Sequence, residues 1–342
     1  MDKKFVKDLS GLNSILNTRH SITVFVSATD SNPNGNPEDG TPRQDPQTGE
    51  GMITPVCIKR KFRDYMLQRY PGLKGLEIFV RKGVVLDDLI ASPYEQDKET
   101  KAAWDAALKA KKGSRDKAIL MQKATELAMK YLCEKYADLR WFGGVLNTGD
   151  REHDPANGDE TGKDEKGKRK EKSFLRKTAG TVHGPVCVTE ARSINRIFPI
   201  RDPITRCCVT NAVDEHKRQT MGEQHRVPYG LYRFNVYFEP LKAEKSGFTN
   251  KDLETVCEAL MHMYDFDKAS GRSRCIVEKA FMFSHESKYG NARDDFLENR
   301  VTAVLNPGVT IPMKTADYTI GVDIKDLPKG VSVKELKWEC TE

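Results

Sequence analysis

Lys59, Arg60, Lys61 and Arg63 crowd four cations into five residues of the segment CIKRKFRDY. Thr54 is a suitable N-cap and Pro55 a suitable first helical residue, so a helix is predicted from there to about Tyr70, where YPG ends it. At helical spacing Ile58, Phe62, Tyr65 and Met66 form an apolar stripe, and Lys59, Arg60 and Arg63 fall on a separate face. A phosphate chain passing that face would meet three cations, with the N–H groups of the helix start a turn away. The same pattern also describes a solvated face, because most surface charges do nothing specific.

The loop before this helix, DSNPNGNPEDG, is the second candidate. Gly35 permits a positive φ, the prolines stiffen the chain, and Asn32, Asn34 and Asn36 offer amides without charge. Such a loop can hold a sugar-phosphate backbone or the edge of a neighbouring subunit, or simply cap a sheet. Asp30, Glu38, Asp39 and Asp45 lie along it and could bind a divalent metal for phosphodiester cleavage, but they lack the fixed spacing of a metal loop. His183, Cys187, Cys207, Cys208, His216 and His225 fit no zinc-ligand spacing. No metal and no cofactor is therefore expected. No nucleophile elbow appears, and GGVLNTG lacks the Lys-Ser/Thr that closes a phosphate-binding loop.

The third candidate is the excursion 211–228, where His216, Lys217, Arg218, His225 and Arg226 surround TMGEQ. A β-hairpin with Met221 at its tip could wedge between bases while its cations hold phosphates. An ordinary charged hairpin has the same composition.

The elements that position these groups follow from periodicity. Residues 20–30 alternate as a strand, with Ile22, Val24 and Val26 on one face and Thr23, Phe25 and Ser27 on the other. Residues 71–140 read as a helical insertion rich in Ala, Lys and Leu, broken at Gly113, after which WFGGVL returns to a strand. Residues 150–178 read as a mobile charged loop, acidic first and basic from 163. Strands are predicted at 203–210, 227–238 and 275–283 and within ADYTIGVDI, and a helix at about 249–264 with Leu253, Val256, Cys257 and Leu260 on one face. Two helices against one antiparallel sheet is an α+β, ferredoxin-like arrangement.

The 342 residues allow a sizeable core, and 31% of them are charged. No apolar run approaches the roughly 20 residues of a membrane span. The N-terminus lacks the apolar core of a secretion signal, and eight scattered cysteines without a CxxC pair read as reduced thiols, so a cytoplasmic location is expected and a membrane partner is not. The net charge of +6 is mild, but basic residues concentrate at 59–63, 163–177 and 192–233, which suits a polyanion.

NPNGNP, DPQTGEGMIT, CIKRKFRDY, WFGGVL, HGPVCVTEARSI, ITRCCVTN, TMGEQHRVPYGLYR and FSHESKYGNA occur in this order over about residues 20–292. Together they resemble the crRNA-coating backbone subunits of Cascade, in the CRISPR-associated RAMP superfamily, closest to the type I-C branch. Two features depart from that pattern: Asn36 stands where NPNGDP is usual, and the loop 150–178 is long.

The resemblance implies one RRM-like palm spanning 1–342, with the helical insertion as fingers or web and a β-hairpin thumb at 192–228. It implies several copies stacked along one crRNA, each presenting bases to target DNA beside other Cascade subunits, with cutting left to a recruited helicase-nuclease. On that reading Lys59, Arg60, Lys61 and Arg63 meet guide phosphates, Asn32, Asn34 and Gly35 support them, Met221 is the wedge, and Arg192, Arg206 and Arg218 add contacts. The alternative is a metal-dependent endoribonuclease of type III-like character, using Asp30 with Asp39 or Asp45.

Overall fold

The computed structural model describes residues 13–111, 113–147, 177–206 and 220–339; for Arg206, Thr220 and Met221 it describes the backbone alone. The chain divides into two compact units, one formed by residues up to 73 together with those from 185 onward, the other by residues 74–184.

The first unit is built on an antiparallel sheet whose central strand is β1 (His20–Ser31). Along the path of this sheet, β2 (Glu50–Ile53) pairs β6 (Ala191–Arg196), β6 pairs β8 (Thr220–Phe238), and β8 pairs β1. On its other side β1 pairs β9 (Cys275–His285), which pairs β12 (Val331–Leu336) at the edge. Two further strands, β5 (Val186–Val188) and β7 (Ile200–Arg206), also pair with β8. Alternation works as the sequence predicts, but both faces of β1 are covered, so Ile22, Val24, Phe25 and Val26 are all fully buried. A bulge between Phe25 and Val26 shifts the register against β9.

One face of the sheet carries Phe25, Tyr229, Leu231, Phe281 and Phe283 and packs against Leu297, Val301 and Tyr318 of the C-terminal region. That region contributes the hairpin of β10 (Val301–Leu305) and β11 (Tyr318–Val322). Two helices, Pro55–Arg69 and Asn250–His262, pack together within this unit. Tyr65 of the first donates to Glu258 of the second at 2.6 Å, and its ring stacks on His262 with centroids 5.7 Å apart. Leu253, Val256 and Leu260 are buried as the periodicity predicts. The second helix begins with a complete capping box between Thr249 and Asp252.

The second unit holds five helices among its described residues, at Leu86–Ala91, Pro93–Gln96, Lys98–Lys109, Arg115–Lys135 and Ala137–Phe142, and a ribbon of β3 (Gly144–Asn147) with β4 (Thr178–Val182). Its core is Phe79, Ile90, Tyr94, Leu132, Tyr136, Leu139, Leu146 and Val182. The buried Asp138 carboxylate accepts from the N–H groups of Phe79 and Val80 at 2.6 and 3.1 Å, fixing the chain's entry into this core.

Three boundaries differ from the sequence reading. Trp141 and Phe142 finish a helix instead of opening a strand, and β3 pairs β4 inside the second unit. The compact unit that holds the insertion therefore runs to Gly184 rather than to 140. Gly143 makes that turn possible: it has φ 72°, and a Cβ there would sit 2.2 Å from the Val182 carbonyl oxygen. Residues 192–196 belong to the main sheet through β6, so the projecting ladder begins at Ile200, not at 192. Of the segment 150–178, Lys177 and Thr178 are among the described residues; the rest lies outside them. β12 had no counterpart in the sequence reading. Among the described residues no helix is long and apolar enough to cross a membrane.

Candidate nucleic-acid interface

The helix Pro55–Arg69 starts where the loop leaves it. Thr54 accepts from the Cys57 N–H at 3.3 Å, and Pro55 occupies the first turn. Asn34 holds Thr54 in turn: its Oδ1 accepts from the Thr54 N–H at 2.9 Å and from the Thr54 hydroxyl at 3.0 Å. Asn32 donates from Nδ2 to the Gly40 carbonyl at 2.8 Å, and its own N–H reaches the Gly271 carbonyl at 2.6 Å. The two amides thus fasten the loop to itself and to the helix. Gly35 is needed for closeness rather than for a left-handed turn, since a Cβ would meet the Gly40 carbonyl at 3.1 Å; the positive φ values of this loop belong to Asp30 and Gly40.

The four cations of the helix part company. Lys59 and Arg63 are partly exposed on one side, near Cys187 of β5. Burial pulls the Lys59 ammonium below the ordinary lysine range; the Cys187 thiol opposes this and the Arg63 charge adds to it. Arg60 pairs with Asp64 one turn on, at 2.6 Å. Lys61 is only 4% exposed and pairs with Asp267 at 2.6 Å. Its assignment to guide phosphates is therefore corrected: the ammonium is turned inward, on the same side as Ile58 and Phe62. Arg192, on β6, is exposed but ringed by Asp45, Glu50 and Glu190 at 3.1, 3.5 and 3.3 Å, so three carboxylates already hold its charge.

The β7–β8 ladder runs from Ile200 opposite Arg226 to Arg206 opposite Thr220. Met221 lies opposite Thr205 inside this ladder, not at a tip, and Arg206 is its last residue on β7. Arg218 lies outside the described residues.

Asp30, Asp39 and Asp45, the acids of the alternative reading, each have partners of their own. Asp30 pairs with Arg226 at 2.5 Å and has Arg274 at 3.9 Å. Asp45 accepts from the N–H groups of Gln47 and Thr48, which, with Arg192, hold its carboxyl below the usual range. Asp39 accepts from the N–H and hydroxyl of Thr41, with the same effect. Among the described residues no group of three or more His, Cys, Asp and Glu side chains is gathered as a metal site.

Sequence reasoning named Arg226 among the hairpin cations but missed Arg272 and Arg274 as site residues. Arg272 flanks Asp267 at 3.4 Å and lines a polar groove of about 370 Å³ with Asn32, Gly40, Gln224 and His225. The available signal was SGRSRC, a small-residue turn carrying two arginines into β9.

The class that this geometry defines is a mixed α/β protein built on an antiparallel sheet, with a cation-bearing loop and helix start and a projecting β-ribbon on one unit. The family described as CRISPR-associated protein Cas7 matches residues 18–323. A CRISPR-associated protein Cas7 of Haloferax volcanii is 24% identical over 288 residues, which cover 82% of this chain and 74% of that protein. Among solved structures, a chain of a CRISPR RNA-guided surveillance complex in a pre-nicking state is similar at 13% identity and a TM-score of 0.42, covering 78% of each chain. A chain of another CRISPR RNA-guided surveillance complex is similar at 10% identity and a TM-score of 0.36, covering 78% of this chain and 69% of its own. This chain belongs to the Cas7 family of CRISPR-associated proteins.

Proposed function

We propose that this protein is a non-catalytic backbone subunit of a type I CRISPR surveillance complex. Copies of it coat one crRNA, hold its sugar-phosphate chain and leave bases free to pair with target DNA, while a recruited helicase-nuclease does the cutting. The sheet unit serves as an RRM-like palm, the β7–β8 ribbon as the thumb, and residues 74–184 as the fingers. Family membership over residues 18–323 supports the class. The observation that carries the site is the helix start, where Asn34 and Thr54 fix the first turn and Lys59 and Arg63 share one partly exposed side. Backbone N–H groups at a helix start and two nearby cations suit a phosphate chain whatever its bases. The engagement of Asp30 by Arg226 at 2.5 Å supports the non-catalytic reading.

Binding of single-stranded RNA should weaken with salt in proportion to the phosphates contacted. Lys59→Ala combined with Arg63→Ala should lower the slope of log K against log salt by about 1.4, taking about 0.7 per lost contact on a single strand. The loss should be the same for guides of different sequence. Titrations of labelled RNA at several salt concentrations check this, and an unaltered slope would remove the helix from the interface.

A further inference from the structure

β8 changes partner abruptly. As far as Val227, which lies opposite Ser31, it pairs with β1; from Arg226, which lies opposite Ile200, it pairs with β7. At the joint, between the Thr29–Tyr229 and Ser31–Val227 pairs, Asp30 faces Pro228. Proline has no N–H to give a ladder, so the backbone holds the ribbon weakly at this point.

Side chains take over there. Arg226 donates from Nε to Asp202 of β7 at 2.6 Å and from Nη1 to Asp30 of β1 at 2.5 Å. A single planar guanidinium thus ties both strands of the ribbon to the end of the central strand. Asp30 reaches it from φ 46°, and it is one of two residues other than glycine with positive φ among the described residues. Aspartate tolerates that region better than most residues, which suits it to this position. Arg274, in the turn just before β9, stands 3.9 Å from the second oxygen of Asp30.

We infer that Asp30 and Arg226 are positioning residues: the Asp30–Arg226–Asp202 clamp holds the β7–β8 ribbon at a fixed angle to the sheet, so that a bound strand meets the ribbon already in place. The second half of this statement rests on the RNA-binding reading above; the first does not. The three side chains are partly exposed, so the clamp contributes little to global stability and acts on geometry. Charge alone makes the opposite prediction for RNA. Removing the Asp30 carboxylate deletes a repulsive charge and would strengthen binding, whereas loss of a preset angle weakens it. If the competent angle is then populated about one-fifth of the time, affinity falls about fivefold.

The test places spin labels on p-acetylphenylalanine at Ile204 of the ribbon and Lys242, a helix residue of the same unit, leaving the native cysteines untouched. Electron–electron distances are measured without RNA in the otherwise wild-type chain, in Asp30→Asn and in Arg226→Gln. RNA affinity is measured beside them. The clamp predicts one narrow distance distribution that broadens in both variants, and weaker RNA binding by Asp30→Asn at an unchanged salt slope. Distributions of equal width in all three proteins overturn the clamp. Broadening with unchanged or tighter RNA binding overturns the positioning role. Broadening in a protein that binds no RNA even when wild-type upholds the clamp and overturns the RNA-binding reading instead.

Discussion

Lys61→Met should destabilise the protein by roughly 3 kcal/mol and leave the salt dependence of RNA binding unchanged. Lys61 is almost wholly buried and its ammonium lies 2.6 Å from Asp267, itself only 13% exposed at the side chain. Losing the lysine strands a carboxylate in a poorly hydrated site, with Arg272 at 3.4 Å as its remaining cation. The pair is worth less than that cost suggests, since two apolar groups of similar volume often replace a buried ion pair without loss. Lys61→Met with Asp267→Leu should accordingly recover more than half of the stability. Urea midpoints of the single and double variants check both statements. A single variant of wild-type stability whose salt slope falls like that of a phosphate contact would place Lys61 on the RNA face after all.

Acidification should unfold the sheet unit through His20. Its imidazole is 8% exposed and sits between the Thr18 and Ser284 hydroxyls, each at 2.9 Å. Burial is the main cause that lowers its pKa from 6.5 to about 4, and His285 adds to it. His285 is itself lowered, by burial and then by the Arg19 charge, with Asp294 opposing. A folded value below the unfolded one means that the unfolded chain takes up the proton first. Stability is therefore whole above pH 6.5 and falls as pH drops towards 4, by about 3 kcal/mol from His20 alone. Carboxylates titrate in the same range, so the comparison is between wild type and His20→Gln. The variant starts less stable at pH 7.5, and the gap should close by about that amount by pH 4. A gap independent of pH would mean that folding leaves the proton affinity of His20 unchanged, and would contradict the account.

The sequence made the helix Pro55–Arg69 legible because three independent signals agree there: cap, first-turn proline and apolar stripe. An apolar face alone located Asn250–His262, and alternation the strand at His20. What it could not show was where the cations of one helix end up. Helical spacing separates Lys61 from Arg60 and Lys59 by angle, but only the turn carrying Asp267, some two hundred residues on, turns that angle inward. Arg192 is the same case, since the carboxylates that occupy it come from the loop and from β2. β12 has a weak signal in the sequence because its alternation is short: Val331 and Val333 share the core-facing side, but Glu335 breaks it, and Ser332 and Lys334 on the other side are exposed, as suits an edge strand. The helix end at Trp141 and Phe142 reads as a strand in the sequence because WFGGVL is a short apolar run, where periodicity does not separate the two states.

The most direct test of the central claim is to purify the full-length protein from cells that carry its own CRISPR array and to sequence whatever nucleic acid accompanies it. The account predicts short RNAs of one spacer with flanking repeat sequence, protected in common by the copies that coat them and released by high salt. Recovery of no nucleic acid, or of cellular RNA without spacer sequences, would contradict it.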